Sequence, residues 1–459
     1  MDIKKRSSFS GKLGFILAAA GSAVGLGNIW RFPYLAAKYG GGMFLLVYIA
    51  LSVTFGFALM VAEVAIGRKT KTSAIGAYRQ LDKRFTFVGV LGSVIPALIL
   101  PYYAVIGGWV TKYFAGFCMG QTAQMADSDY FNAYIGSSET VWDVAEPLLW
   151  FALFIGVTAL IVLCGVEKGI EKVSKLMMPA LVVLILFVAI YSLCTLDGAM
   201  EGLLYYIKPD FSKFSFTTVI AATGQLFYSM SLAMGIMITF GSYMKKDVNI
   251  EKATHSVEIF DTGIAFLAGL MIVPAVFAFS GGDESALSQG PGLMFVTLPK
   301  VFQAMPAGTV IGAVFFLMVL FAALTSAISL METVVSILCD KFHWRRKPCC
   351  LLVLGFSLLL GAASSLGYSA WGNFRIFNMQ LLDFFDFITN SVLMPIVAFV
   401  TCIFVGYVLG TQPLIDEVEL SGKFKQKRMF SVIIRYVAPI CILLILASSV
   451  LGAFGIFQI

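Results

Sequence analysis

Hydrophobic residues lie along this chain in long, nearly unbroken stretches separated by short polar loops. A helix of about 20 apolar residues is long enough to cross the hydrocarbon core of a bilayer. The pattern therefore predicts an all-α, polytopic membrane protein with about eleven transmembrane helices. The predicted spans cover residues 13–38, 43–67, 86–118, 147–166, 174–195, 216–242, 256–281, 307–340, 350–367, 380–409 and 431–456.

Two of these spans carry glycine and polar residues where a membrane helix is normally continuous. The first contains Gly21-Ser-Ala-Val-Gly-Leu-Gly-Asn28, and the sixth contains Gln225-Leu-Phe-Tyr-Ser-Met-Ser-Leu-Ala-Met-Gly235. Because every backbone amide in hydrocarbon must be hydrogen-bonded, a broken span is stable only where it lines a cavity or meets a ligand. Two broken spans at matching places in two halves are typical of the binding site of a secondary transporter.

Composition and charge agree with a membrane protein. Of the 459 residues, 59% are hydrophobic and only 13% are charged, too few to cover a soluble core. The net charge of +6 does not indicate nucleic-acid binding, because the basic residues lie in short loops beside the spans. Lysine and arginine are concentrated in the N-terminus and after even-numbered spans, whereas loop 119–146 has neither. The positive-inside rule predicts a cytoplasmic N-terminus and, after eleven spans, an external C-terminus.

The first five spans and the next five share one pattern, a broken helix followed by four others. A five-helix unit must be inverted relative to its copy, so the broken helices enter from opposite faces and meet near the midplane. Their inner ends expose N–H groups, which suit a carboxylate, and carbonyls, which suit sodium ions and an ammonium group. We expect one transporter domain over residues 1–459, with repeats at about 10–195 and 214–410 and an extra helix at about 430–456.

Four motifs in order resemble the neurotransmitter:sodium symporter family, in particular its bacterial amino-acid transporters. They are the first broken segment with Ile29-Trp-Arg-Phe-Pro33, then Tyr102-Tyr103, Ser229-Met-Ser-Leu-Ala-Met-Gly235 and Leu324-Thr-Ser-Ala327. The resemblance runs from about Arg6 through the eleventh span. It implies a LeuT-like fold, a 5+5 inverted repeat with broken first and sixth helices, and no enzymatic activity. It also implies sodium-coupled import of a neutral, hydrophobic L-amino acid by alternating access across a bacterial inner membrane.

The resemblance also implies the substrate site, position by position. Gly25 stands where amino-acid transporters of the family accept the substrate carboxylate, and Tyr103 stands where a hydroxyl binds it. Met234 replaces a phenylalanine and Ala233 replaces a glycine of the family pattern. The implied substrate-binding residues are Ala23, Gly25, Leu26, Gly27, Ile99, Tyr103, Tyr228, Ser229, Ser231, Met234, Ser326 and Leu330.

Two sodium sites follow from the same resemblance, both built from the oxygen ligands that hard cations prefer. The first set is the Ala23 carbonyl, Asn28, Ser229 and Asp261, completed by the substrate carboxylate. The second set is the carbonyls of Gly21, Val24 and Ala322 with the hydroxyls of Thr325 and Ser326. A threonine–serine pair in mid-span can instead bond back to its own helix carbonyls, and that alternative stays open.

Asp261 departs from the family's leucine transporter, which has asparagine there. The residue four positions later is Ala265, where chloride-dependent members have serine. A carboxylate inside a membrane is costly unless it faces a cavity or a cation. We therefore expect Asp261 to supply the negative charge that chloride supplies in animal relatives, so that transport is chloride-independent. The alternative is a solvated aspartate at a helix end.

The resemblance places a gate on each side of the site. Arg31 and Asp386 match the outer ion pair, above a lid of Tyr103 and Tyr228. The matching inner set is Arg6 and Asp340, backed by Phe9, Ser242 and Tyr243. Glu63 is expected to support the breaks in spans 1 and 6 through hydrogen bonds. Each pair taken alone could be an ordinary ion pair worth under about 1 kcal/mol.

Three other classes of protein compete with a symporter. An intramembrane enzyme is disfavoured because the chain has only His255 and His343 and no His-Glu-x-x-His pair. A channel would lack two gates around one site, and an amino-acid sensor would bind without flux. No Gly-x-x-x-x-Gly-Lys-Ser/Thr motif indicates ATP binding.

Overall fold

The computed structural model describes residues 7–281 and 292–453. In this part of the chain nine uninterrupted helices are long and apolar enough to cross a membrane. They are span 2 (Gly42–Thr70), span 3 (Lys83–Cys118), span 4 (Val141–Leu163), span 5 (Val166–Thr195), span 7 (Ile250–Phe279), span 8 (Gly308–Phe342), span 9 (Arg346–Leu366), span 10 (Leu381–Val408) and span 11 (Lys427–Leu451).

The first and sixth predicted spans are broken, as expected. Span 1 consists of 1a (Lys12–Ala23) and 1b (Gly27–Lys38), which are bent by 57°. Span 6 consists of 6a (Phe216–Ser229) and 6b (Ile236–Tyr243), separated by residues 230–235. Span 1 thus adds a tenth apolar crossing among the described residues, and helices 6a and 6b occupy the predicted sixth span. The all-α, LeuT-like fold class is confirmed.

Backbone conformation explains both breaks. In span 1, Val24 is extended, with φ −74° and ψ 106°, so the helical ladder stops after Ala23. In the sixth span, Ser231, Ala233 and Gly235 have φ values of 53°, 61° and 71°. This left-handed region cannot continue a right-handed helix, and for residues with a Cβ it costs about 1–2 kcal/mol each. The serine and alanine are therefore held there by surrounding contacts, which the site below provides.

Five helices, spans 4, 5, 7, 9 and 11, begin four or more residues before their predicted starts. Span 4 was expected from residue 147 but begins at Val141, where Thr140 and Asp143 form a capping box. Asp143, in the first turn, also stabilises the positive end of the helix dipole. Span 9 was expected from residue 350 but begins at Arg346, whose guanidinium bonds the Val162 carbonyl at 2.7 Å.

Burial separates the inner spans from the outer ones. In the most apolar stretch of span 8, 72% of the residues are buried, against 33% in span 5. Spans 3 and 8 form the most extensive helix pair. Short helices in the connections are Ala74–Leu81, Thr122–Met125, Tyr130–Gly136, Ala199–Ile207, Leu293–Ala304 and Gln412–Glu419. The broken spans therefore lie where side chains from several buried helices can reach them.

Candidate functional site

A cavity of about 40 Å³ lies at the two helix breaks. All twelve residues expected at the substrate site line it, and Ser22, Asn28 and Ile236 join them. The lining residues are Ser22, Ala23, Gly25, Leu26, Gly27, Asn28, Ile99, Tyr103, Tyr228, Ser229, Ser231, Met234, Ile236, Ser326 and Leu330. Ala233 is not among them, so its methyl group does not form the wall of this cavity.

Two glycines allow side chains to approach the backbone of the first break. A Cβ atom on Gly25 would lie 2.6 Å from Ser326 Oγ and 3.0 Å from the Tyr103 hydroxyl. A Cβ atom on Gly27 would lie 2.4 Å from the Tyr228 ring. The Tyr103 hydroxyl accepts a hydrogen bond from the Leu26 N–H at 3.3 Å. Glycine is therefore required at both positions by contact, and the Tyr103 hydroxyl already faces the opened backbone.

A buried cluster around Asp261 lies beside the cavity, and we call it the Asp261 site. Asn28 Nδ2 lies 2.9 Å from Ser229 Oγ, 2.7 Å from Asp261 Oδ1 and 3.2 Å from the Asp261 carbonyl. Ser229 Oγ donates to Asp261 Oδ1 at 2.7 Å, and the Tyr48 hydroxyl donates to Oδ2 at 3.2 Å. All four residues are essentially inaccessible to solvent. Asp261 is thus buried in mid-span, which rules out a solvated helix end.

The donor atoms of the Asp261 site suit a hard monovalent cation. One carboxylate, one hydroxyl and one carbonyl oxygen converge on a single point, now contacted by the Asn28 amide nitrogen. The Asn28 side-chain oxygen faces the first break, where it accepts a hydrogen bond from the Gly25 N–H at 3.1 Å. A cation at this point would take the place of the amide nitrogen as the partner of these oxygens, around one negative charge. Among the described residues, no group of three or more His, Cys, Asp and Glu side chains could hold a metal ion.

A second cluster of oxygens lies between span 1 and span 8, and we call it the span 8 site. Ser326 Oγ lies 3.1 Å from the carbonyls of Ser22 and Val24 and 3.5 Å from that of Gly21. A Cβ atom on Gly21 would lie 3.2 Å from Thr325 Cβ, so the two helices touch here. These oxygens carry no formal charge and also suit a hard cation.

The two hydroxyls of the span 8 site are held differently. Thr325 Oγ1 bonds back to its own helix, 3.0 Å from the Phe321 carbonyl and 3.1 Å from that of Ala322. Ser326 Oγ instead bonds across to span 1. The back-bonding alternative therefore holds for Thr325 in this structure, although its oxygen lone pairs are left available. It does not hold for Ser326.

Glu63 supports one break rather than two. Its Oε1 accepts a hydrogen bond from the Ala233 N–H at 2.7 Å, which holds the left-handed backbone of span 6. Its Oε2 is buried and has no hydrogen-bond partner among the described residues. The expected hydrogen bond from Glu63 to the break in span 1 is therefore wrong. Gln225 contacts that break instead, because its side-chain amide donates to the Gly27 carbonyl at 2.9 Å.

A larger cavity of about 490 Å³, which we call the vestibule, lies above the first, and Tyr228 lines both. Arg31 and Asp386 line this vestibule, but among the described residues no ion pair joins them. The Arg31 guanidinium lies over the Tyr228 ring, 5.2 Å from its centroid. Asp386 Oδ1 accepts from Asn390 at 2.6 Å and from Tyr102 at 3.2 Å. The expected outer ion pair is absent because each partner is engaged elsewhere.

The opposite side of the cavity is closed, and we call it the N-terminal face. Phe9 is 1% exposed and packs edge-on against Phe15, Phe240 and Tyr243, with ring centroids 5.7–6.0 Å apart. Its N–H donates to the Tyr243 carbonyl at 3.2 Å. Asp340 accepts from the Ser73 N–H at 2.7 Å. Arg6, the expected partner of Asp340, lies outside the described residues.

Three contributors to the site had no sequence signal of their own. Tyr48 lies within an unbroken apolar run of span 2, where nothing marks it as a neighbour of a carboxylate. Ser22 and Ile236 are next to residues that were expected, and their backbone positions in the breaks bring them into the lining. Proximity to a predicted break was the only available indicator for these two.

Two opposed helix breaks around one cavity, flanked by two oxygen clusters and closed on one side, define a secondary transporter of the LeuT-like fold. Comparisons with known proteins give the family. The family model for the "Sodium:neurotransmitter symporter family" matches residues 6–126 and 117–454. The chain belongs to this family, whose members are transporters and not enzymes.

Individual relatives extend over the whole chain. The "Uncharacterized sodium-dependent transporter YhdH" of Bacillus subtilis is 33% identical over 98% of this chain and 99% of its own length. The sodium- and chloride-dependent taurine transporter of Rattus norvegicus is 28% identical over 90% of this chain and 73% of its own length. The crystal structure of MhsT in complex with L-phenylalanine superposes with a TM-score of 0.86 at 38% identity, covering 97% of this chain and all of MhsT. The protein is therefore a polytopic, sodium-dependent membrane transporter.

Proposed function

We propose that this transporter carries a neutral, hydrophobic L-amino acid together with sodium into the cell by alternating access. The observation that supports this most directly is the cavity at the two breaks. Its walls combine backbone groups and hydroxyls with the apolar side chains of Ile99, Met234 and Leu330. That combination suits a zwitterion with an uncharged, apolar side chain. MhsT, similar over nearly the whole chain, was crystallised with L-phenylalanine.

The carboxylate end of the substrate is assigned to the first break. There the Leu26 N–H donates to the Tyr103 hydroxyl at 3.3 Å, and the Gly25 N–H donates to Asn28 Oδ1 at 3.1 Å. A bound carboxylate would compete with these neutral acceptors, because hydrogen bonds to a charged acceptor are worth about 1.5–3 kcal/mol. Gly25 permits this approach because it has no Cβ. The Asp261 site lies next to this end, so a carboxylate bound there can contact the same cation. A shared ligand would couple binding of the two solutes directly.

Two sodium ions are proposed as co-substrates, one at the Asp261 site and one at the span 8 site. One sodium ion crossing 100 mV yields about 2.3 kcal/mol, and a tenfold gradient adds about 1.4 kcal/mol. Two ions would supply roughly 7 kcal/mol, enough for about 10⁵-fold accumulation of the amino acid. Neither site requires chloride in this proposal, because Asp261 already provides a fixed negative charge beside the cation.

Location and orientation complete the proposal. Similarity to a transporter of Bacillus subtilis supports location in a bacterial inner (cell) membrane. The positive-inside distribution of lysine and arginine supports a cytoplasmic N-terminus and an external C-terminus. The N-terminal face would then be the cytoplasmic gate, and the vestibule would open to the outside.

Uptake of radiolabelled amino acids into proteoliposomes tests the function. With an inward sodium gradient, uptake should exceed that with potassium, be competed by neutral apolar amino acids among the twenty, and persist in chloride-free gluconate buffer. Equal uptake without sodium would contradict symport, and loss in gluconate would contradict chloride independence. Gly25→Ala should abolish uptake, because the new Cβ would overlap Ser326 Oγ. Gly156→Ala is the matched control, since a Cβ there has no neighbour within 4 Å.

A further inference from the structure

A second set of hydrogen bonds closes the N-terminal face. It is formed by the carboxylate of Glu171, which is not among the gate residues named above. Glu171 lies at the beginning of span 5 and is 1% exposed. Its Oε2 accepts the Ser10 N–H at 2.8 Å, and its Oε1 accepts the Ser10 hydroxyl. Lys175, one turn further along, donates to Oε1 at 2.6 Å. A buried carboxylate is thus paired with both a cation and the chain segment that leads into span 1a.

Every polar group of Ser10 is engaged by another element. The N–H and hydroxyl bond Glu171 of span 5, and the carbonyl accepts from Lys245, after span 6b, at 2.8 Å. The preceding residue, Phe9, donates its N–H to the Tyr243 carbonyl at 3.2 Å. Two consecutive residues are therefore hydrogen-bonded to spans 5 and 6 immediately before span 1a begins at Lys12.

A glycine in span 1a, Gly14, leaves room for the Glu171 carboxylate. A Cβ atom on Gly14 would lie 2.3 Å from the Glu171 carboxyl carbon. The carboxylate therefore lies against the first turn of the helix, where exposed N–H groups favour a negative charge. This contact and the bonds from Ser10 to Glu171 exist only while the start of span 1a lies against span 5. A movement of span 1a away from span 5 would break all of them together.

We propose that Glu171 is a positioning residue of the N-terminal gate, which holds the segment Phe9–Ser10 and span 1a closed against span 5. Release of these bonds is a required part of opening the cavity to this face. The inference rests on alternating access in the proposed function. It assigns a role to the span 5 carboxylate in addition to the expected Arg6–Asp340 pair and the aromatic packing of Phe9.

Amide hydrogen exchange of the full chain in lipid nanodiscs, without substrate, measures how often these hydrogen bonds open. Exchange of the Phe9 and Ser10 amides requires the gate to open, so it reports the opening equilibrium. Glu171→Gln removes the charge while keeping the size, and hydrogen bonds to charged groups are strong enough to change such an equilibrium by about tenfold or more. We expect exchange in residues 7–17 to rise about tenfold. Glu167→Gln is the matched control, because Glu167 lies one turn earlier and is exposed.

Two milder variants keep the test valid if Glu171→Gln does not fold. Ser10→Ala removes the hydroxyl, which contacts Glu171 and, at 3.4 Å, Lys175, and Lys245→Met removes the contact to the Ser10 carbonyl. Each should raise exchange about threefold in residues 7–17 alone, less than Glu171→Gln, because the charged carboxylate keeps its bonds to the Ser10 N–H and to Lys175. Unchanged exchange in Glu171→Gln, or in both milder variants, would overturn the proposal. A rise spread over all spans would also overturn it, since Glu171 would then merely stabilise the fold. Because no substrate is used, an error in the proposed substrate would leave this result unaffected.

Discussion

The two oxygen clusters beside the cavity differ in charge and in what holds them together. The Asp261 site contains a carboxylate bonded by three side chains from three other spans, Asn28, Ser229 and Tyr48. The span 8 site contains only carbonyls and hydroxyls, and one cross-helix hydroxyl, that of Ser326, joins it to span 1. A charged site attracts a cation strongly but must be neutralised within the membrane. A neutral site binds more weakly and depends on the fit between two helices.

The contrast indicates different roles. In the proposed function, the Asp261 site adjoins the end of the cavity assigned to the substrate carboxylate, so its occupation by sodium would be linked to substrate binding. The span 8 site links the first break to span 8 through the Ser326 hydroxyl. We infer that the first site mainly sets the affinity for the substrate. The second mainly sets whether span 1 stays against span 8.

The largest expected effect is at the charged site. Asp261→Asn keeps the shape but removes the negative charge, so uptake in chloride-free buffer should fall about a hundredfold, the loss expected for weakening several charge-assisted hydrogen bonds and a cation contact. Adding chloride should restore part of it. Sodium-driven uptake is the measurement, with Asp416→Asn as an exposed control. Unchanged uptake of Asp261→Asn in gluconate would show that the carboxylate does not set the charge of this site.

At the neutral site, Ser326→Ala removes the hydroxyl that joins span 8 to the first break. The sodium concentration for half-maximal uptake should rise about tenfold, because one cation ligand and a cross-helix bond are lost together. Ser329→Ala is a close control, since this buried serine, on the same span, bonds only back to Thr325 at 2.9 Å. Equal sodium dependence in the two variants would remove the span 8 site from the coupling mechanism.

Substitutions at Thr325 test whether its hydroxyl is a sodium ligand or only a hydrogen-bond donor to its own helix. Thr325→Val removes the oxygen at nearly constant volume, whereas Thr325→Ser keeps it. If the hydroxyl coordinates sodium with its free lone pairs, the half-maximal sodium concentration should rise about fivefold in the valine variant only. Thr333→Val controls for loss of a back-bonded hydroxyl on the same span. A similar result for Thr325→Val and Thr333→Val would leave Ser326 as the functional hydroxyl of the pair.

Hydrophobic stretches, glycines and loop charges were enough to predict the helices and both breaks, because these depend on local composition. The substrate lining could be listed from motifs, and the structure brings those residues together. Pairing of side chains was harder. Arg31 and Asp386 were expected to form an ion pair with each other. Instead Arg31 lies over the Tyr228 ring, and Asp386 accepts hydrogen bonds from Tyr102 and Asn390. Glu63 contacts the break in span 6, and Gln225 contacts the break in span 1. Such choices depend on tertiary packing, which spacing along the chain does not record.

Tyr48 is the weakest and least foreseeable member of the Asp261 site. Its hydroxyl donates to Asp261 Oδ2 at 3.2 Å, while Asn28 and Ser229 both approach Oδ1 at 2.7 Å. Tyr48→Phe should therefore raise the half-maximal sodium concentration only about threefold, less than the change at either hydroxyl of the span 8 site. Tyr113→Phe removes another buried hydroxyl, bonded to the Phe295 carbonyl, and should leave sodium dependence unchanged. If Tyr48→Phe instead gave chloride-stimulated uptake, the tyrosine would be needed to hold the carboxylate in place, and the charged site would require all three of its donors.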